Sequence, residues 1–169
     1  MYELPDLRWI IDRAAVVDTI VAFANAIDAQ DWQKLRSHLA EEIDIDYSEF
    51  RGETPRRVTA EEYIKQRVEG LAGLRTLHVS TNHEITIQRD AAKCKSVYRI
   101  YRLDPDRESG QNRLDTGGNY FHSLIQTDRH WLITGIKQTV VIVSGNTQVP
   151  DGVTTPSKVP LVADLVNLR

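Results

Sequence analysis

Apolar side chains recur along residues 7 to 29 in steps of three and four, at Ile10, Ala14, Val17, Val21 and Ala24. That spacing describes one face of an amphipathic helix. One further step of four lands on Asp28, a carboxylate where the pattern asks for an inward residue. The stretch Asp31 to Arg36 reads as a short second helix with Asp31 at its start, where a negative charge suits the positive end of the helix dipole. Ile43-Asp44-Ile45-Asp46-Tyr47 alternates as a strand does, and Arg51-Gly52-Glu53-Thr54-Pro55 reads as a loop. Thr59 followed by Glu62 is a capping-box pattern that opens a third helix, running to about Glu69.

From Leu74 onward the period changes from helical to extended. Four strands are predicted, at about 75 to 88, 93 to 104, 113 to 127 and 130 to 144, separated by short polar runs. Helices followed by a meander of long antiparallel strands define an α+β class, with the helices covering one face of a curved sheet. The expected architecture is a cone-shaped α+β barrel with an open mouth, one domain over residues 1–144, followed by an extended, proline-bearing tail over 145–169. Consecutive apolar residues in Trp131-Leu132-Ile133 and in Thr139 to Val143 imply that both faces of the last strand are covered. One layer of helices covers only one face. A homo-oligomer, dimer or trimer, is therefore expected, with Val141 and Val143 at the contact.

Composition narrows the function classes. A chain of 169 residues with 41% hydrophobic content can bury one core but would be cramped as two domains. The net charge of -3, with lysines and arginines scattered, lacks the basic stripe that nucleic acid requires and favours a small uncharged or weakly charged ligand. The single cysteine, Cys94, excludes an internal disulfide and a cysteine-based zinc cage, and reads as a small buried residue. There is no run of membrane-spanning length and no basic, apolar leader pattern, so a soluble cytoplasmic protein is expected. Neither a glycine-rich phosphate loop nor a histidine and carboxylate pair at metal-ligand spacing occurs, which predicts no nucleotide, no metal and no other cofactor.

A buried carboxylate costs several kcal/mol unless a cation, a histidine or several donors stand beside it. His78 is the candidate partner of Asp28, because alternation along Leu77 to Asn82 groups His78 with the polar Ser80 and Asn82. A histidine titrates near neutrality, and a carboxylate on one ring nitrogen fixes the tautomer and raises basicity at the other. The residues alone leave open that Asp28 bonds Trp32 or backbone donors, and that His78 is structural. His122, on the same strand parity as Tyr120 and Gly118, is a reserve pocket residue. His83 and His130 read as solvated or structural, and Trp9, Trp32 and Trp131 as packing anchors.

The segments Ile27-Asp28-Ala29-Gln30-Asp31-Trp32, Ile45-Asp46-Tyr47-Ser48-Glu49-Phe50 and Leu74-Arg75-Thr76-Leu77-His78, in this order and spacing, resemble the scytalone dehydratase family. More broadly, the chain resembles the SnoaL-like branch of the nuclear-transport-factor-2-like fold. The resemblance implies a catalytic pair, Asp28 orienting His78, with Tyr47 polarising a substrate carbonyl and Asn119 near the family's pocket asparagine. Ile27 stands where that family has a second tyrosine, and Tyr98 to Arg102 holds no clear counterpart of its additional histidine. The implied activity is a cofactor-independent lyase that removes water or another β leaving group from a small cyclic or polyketide-like substrate. A related isomerase or cyclase, or a non-catalytic binding or assembly module on the same cone, is the alternative. Members of the family commonly form dimers or trimers through the sheet.

Overall fold

The computed structural model describes residues 6–128 and 130–149, so most of the tail expected over 145–169 lies outside the described residues. In chain order the elements are α1 (Leu7–Asp28), α2 (Trp32–Ser37), β1 (Leu39–Asp46), α3 (Ser48–Arg51), β2 (Arg56–Thr59), α4 (Ala60–Gly70), β3 (Arg75–Gln88), β4 (Ala91–Leu103), β5 (Arg113–Thr127) and β6 (His130–Gly145). The strands form one six-stranded sheet in the order β2-β1-β6-β5-β4-β3. Only the β1–β6 pairing is parallel. The α+β class holds, but β2 and β3 remain edges, so the sheet is open and the expected barrel does not close.

Local chemistry sets the helix starts. Thr59 Oγ1 accepts from the Glu62 backbone N–H while the Glu62 carboxylate accepts from the Thr59 N–H, closing the capping box at α4. Asp31 accepts from the Lys34 N–H and caps α2. The strand expected through Tyr47 stops at Asp46, whose carboxylate accepts from both the backbone N–H and the hydroxyl of Ser48 and turns the chain into α3. Tyr47 thereby becomes the residue before a helix, and apart from Arg51, which ends α3, the expected loop holds over Gly52 to Pro55 and connects α3 to β2.

The buried face of α1 is rotated from the one the spacing suggested. Val16, Ile20, Phe23 and Ile27 face the sheet, each one residue before a predicted position, while Ile10 is 47% exposed. Both stripes are apolar, but the one with the larger side chains removes more apolar area from water, and it wins. Asp28 then lies at the border of that face in the last helical turn. The core joins these residues to Leu35, Ile43, Tyr63 and Trp131. Trp131 is in the core and Trp32 packs against it, whereas Trp9 is 40% exposed and lies outside the core.

Two bulges set which strand residues face inward. On β6, Gly118 pairs with Val140 and Gly117 with Ile142, leaving Val141 as an extra residue. Val140 and Val143 consequently point into the core, whereas Val141 (60% exposed) and Ile142 point outward. Val143, expected at an oligomer contact, is a core residue. A Cβ on Gly118 would fall 2.0 Å from the Thr139 carbonyl oxygen, so the close approach at this bulge requires glycine. On β3, Asn82 and His83 together oppose one residue of β4, and Asn82 adopts a φ of 54°. The bulge sends Asn82 outward and brings His83 inward, where its Nε2 lies 3.0 Å from Ser80 Oγ. Among the described residues no helix is long and apolar enough to cross a membrane.

Candidate active site

Because β3 is a sheet edge, the backbone N–H of His78 is free of the ladder, and it donates to Asp28 Oδ2 at 2.7 Å. The Thr76 hydroxyl donates to Asp28 Oδ1 at 2.8 Å, and His78 Nδ1 lies 2.5 Å from the same oxygen. The last residue of α1 thus meets three donors from one strand edge. Burial pushes the Asp28 carboxyl up, but the hydrogen bond and charge of His78, with help from its N–H and from Thr76, outweigh burial and hold it below 3.8. An ionised carboxylate only accepts, so Nδ1 carries a proton, and in the neutral ring the lone pair is then on Nε2. No described residue hydrogen-bonds Nε2. The two side chains are 12% and 16% exposed, shielded but not sealed.

Strand register extends the site. Thr76, His78 and Ser80 stand opposite Arg102, Ile100 and Tyr98 of β4, so Arg102 and Tyr98 flank His78 diagonally on the inward face. The next strand continues that face with Thr116, Tyr120 and His122, opposite Ile100, Ser96 and Cys94.

The other residues expected at the site divide. Tyr47 is buried with its hydroxyl 3.0 Å from that of Tyr63, and its ring lies under the Arg67 guanidinium at 5.2 Å. It joins a group of phenols and arginines and makes no hydrogen bond to the Asp28–His78 pair. His122 is 3% exposed and packs on Phe23 and Tyr120, with neither ring nitrogen hydrogen-bonded. Burial, with a smaller contribution from His83, brings its pKa down to about 4, so it is neutral at pH 7. Asn119 does not reach the site. It pairs with the outward Val97 and borders an outer groove with Val79 and Ile142, because the inward parity of β5 belongs to Tyr120. Cys94 is buried, and burial pushes its thiol up to about 11, which leaves it inert. Among the described residues, no group of three or more His, Cys, Asp or Glu side chains could hold a metal ion.

Sequence reasoning passed over Arg51, Arg67 and Arg102, which reach the same interior. The signals were present. Arg67 follows Ala60, Tyr63 and Ile64 at helical spacing, on the stripe that packs inward, and Arg102 shares strand parity with Tyr98 and Ile100.

A family model for the SnoaL-like domain matches residues 8–137. No curated protein matches the sequence. Among solved structures, the Kfla4162 protein of Kribbella flavida superimposes with a TM-score of 0.75 at 23% identity, covering 78% of this chain and 92% of that one. A scytalone dehydratase-type protein from Novosphingobium aromaticivorans gives 0.69 at 14% identity, over 79% and 87% of the two chains. A type 2 hexachlorocyclohexane dehydrochlorinase gives 0.69 at 15% identity, over 82% and 90%. At such identities the likeness concerns the fold.

Proposed function

The chain belongs to the SnoaL-like domain family, and on that premise we propose that it is a cofactor-independent, dehydratase-like lyase acting on a small cyclic or polyketide-like substrate. The observation that carries the reading is the Asp28–His78 pair, with Nδ1 against the carboxylate and no described residue on Nε2, which we assign as the base. In the proposed reaction, Nε2 takes the proton on the carbon next to a carbonyl. The C–H electron pair becomes the new double bond as the β carbon–oxygen bond breaks, and the imidazolium returns the proton to the departing hydroxyl as water. Asp28 orients the ring and stabilises its charged form. The Tyr47 hydroxyl, backed by Tyr63, is assigned to the carbonyl oxygen, where a donor stabilises the developing enolate, and His122 to the wall of the substrate space. Dehydration and dehydrochlorination named for structural neighbours involve the same kind of elimination, which supports the reading.

The test is turnover of β-hydroxy carbonyl compounds, followed by the ultraviolet absorbance of the conjugated product. His78→Ala is expected to lose about a thousandfold or more, and Asp28→Asn about a hundredfold, with little change in melting temperature. Unimpaired turnover by His78→Ala would overturn the assignment. The proposal also gives the outer face of the sheet, with Leu77, Val79, Val97, Phe121, Val141 and Ile142 exposed, to a second copy of the chain.

A further inference from the structure

Arg51, Arg67 and Arg102 arise from α3, α4 and β4, yet occupy one space between the helices and the sheet. Arg102 is 5% exposed; its Nη1 donates to Thr116 Oγ1 at 2.9 Å, and its guanidinium lies 4.8 Å from the centre of the Phe50 ring. Arg51 stacks on the same ring at 5.6 Å, and Arg67 sits at 5.2 and 5.1 Å from the rings of Tyr47 and Tyr63. The Nε atoms of Arg51 and Arg67 are buried without an acceptor. None of the three forms an ion pair with a described carboxylate. Glu53, whose charge favours the charged forms of Arg51 and Arg67 from a distance, pairs with Arg56 at 3.5 Å.

Burial opposes the charge on all three: Arg51 and Arg102 are held below the ordinary arginine value, whereas Tyr63, Tyr47, Tyr120 and Glu53 outweigh burial around Arg67 and raise it. An unpaired buried charge costs several kcal/mol, whereas a guanidinium on a ring face gains about 0.5 to 2 kcal/mol. The three also repel one another. Burial, opposed by the Tyr120 and Tyr98 phenols and reinforced by Arg51 and Arg67, brings Arg102 down to about 10, which still leaves it charged at neutral pH. Three charged forks sharing one partly desolvated volume match what a planar oxyanion needs, since guanidinium and carboxylate pair through parallel hydrogen bonds.

We propose that the interior site binds its ligand through a carboxylate held by Arg51, Arg67 and Arg102, so that of the uncharged or weakly charged ligands that the overall charge favoured, the substrate is a small organic acid. Arg102 stands diagonally from His78 across the β3–β4 ladder, so an anchored carboxylate sets the remainder of the molecule before Nε2. Only that orientation rests on the lyase reading; the binding of the anion does not.

The experiment compares benzoate with benzamide, its neutral near-isostere, by calorimetric titration at low ionic strength into the full chain and its His78→Ala, Arg67→Met and Arg102→Met variants. The parent and His78→Ala are expected to bind benzoate at least about tenfold more tightly than benzamide, and both arginine variants to lose that preference. Equal affinity for the two probes in the parent, or unchanged benzoate affinity in both arginine variants, overturns the proposal. Thermal melting supplies a second readout. Replacing an unpaired buried charge with Met should leave the ligand-free melting temperature unchanged or raised, and benzoate should then raise it in the parent and in His78→Ala but in neither arginine variant. A lowered melting temperature with benzoate affinity intact would make Arg102 structural and overturn its role. Should Arg102→Met fail to fold, Arg102→Lys, which keeps the charge but loses the fork, takes its place with a weakened preference expected. Benzoate preference beside turnover indifferent to His78→Ala would sink the lyase and spare the anion site. Turnover that needs His78 without any benzoate preference would do the reverse.

Discussion

The inner face of the sheet carries His78, Tyr98, Arg102 and His122, whereas the outer face carries Leu77, Val79, Val97, Phe121 and Val141. In an isolated domain the apolar residues would be expected inside and the polar ones outside. Here part of the interior is polar and part of the exterior apolar, and by our proposals the complement of each face lies beyond the chain: a ligand for the inner face and a second copy for the outer. Burial alone therefore does not distinguish structural from functional residues in this protein. Unsatisfied polar groups are a second feature of this interior, shared by Ser96 and the core residue Trp131. His122 offers two ring nitrogens without partners and Gln138 an unbonded Nε2, in a layer that otherwise contains well-packed Ile100, Leu124 and Ile136.

The largest expected difference between the faces comes from two residues only two positions apart. Val143→Glu places a carboxylate at a fully buried position and should cost about 4 kcal/mol or more, enough to unfold much of the population in a urea titration. Val141→Arg, on the outward side of the bulge, should change monomer stability by about 0.5 kcal/mol or less. Its effect should appear in sedimentation, as dissociation of the oligomer; an unaltered assembly would assign the contact to another surface.

A smaller effect separates the faces by pH. His122 is held at about 4 in the folded chain against an ordinary 6.5, so below 6.5 the unfolded chain binds a proton that the folded one refuses. Stability should fall as pH drops from 6.5 toward 4, by up to about 3 kcal/mol at about 1.4 kcal/mol per pH unit. His122→Phe should flatten urea midpoints across that window, because it removes the titration without removing a hydrogen bond. Asp28 acts in the same direction but lower. Its folded value lies below 3.8, so its contribution is present above 3.8 and lost as pH falls through the depressed value. Smallest of all, Thr59→Ala removes a cap remote from both faces and should cost about 1 kcal/mol without affecting assembly or ligand binding.

What could be read from the sequence was what is local. The Thr59–Glu62 box and the long strands declare themselves through a few adjacent residues or through many repeats of one period. α3 and β2, four residues each, are too short to express a period. The face of α1 was misplaced because Ala and Val on its outer side imitate a buried stripe, and only the sheet decides between them. The meeting of Asp28 with His78 was foreseen from the cost of a buried acid together with the family resemblance. The arginine group was not, since a polar residue on an apolar stripe looks like an interruption until three of them converge. The bulges cannot be read from one strand at all, because they are a mismatch of count between two.

The bulge on β6 also gives that strand slack in length. If Val141 were deleted, Val140 and Ile142 would become neighbours, and the pairs Gly118–Val140 and Gly117–Ile142 would simply close into a regular ladder. Every other side chain could keep its face. Deleting Gln138 instead would force a new register shift or turn the neighbouring residues over, exchanging core for surface. The strand that bridges the two functional faces thus contains one residue that insertion or deletion can trade away, so its length and its inside-outside pattern can vary independently.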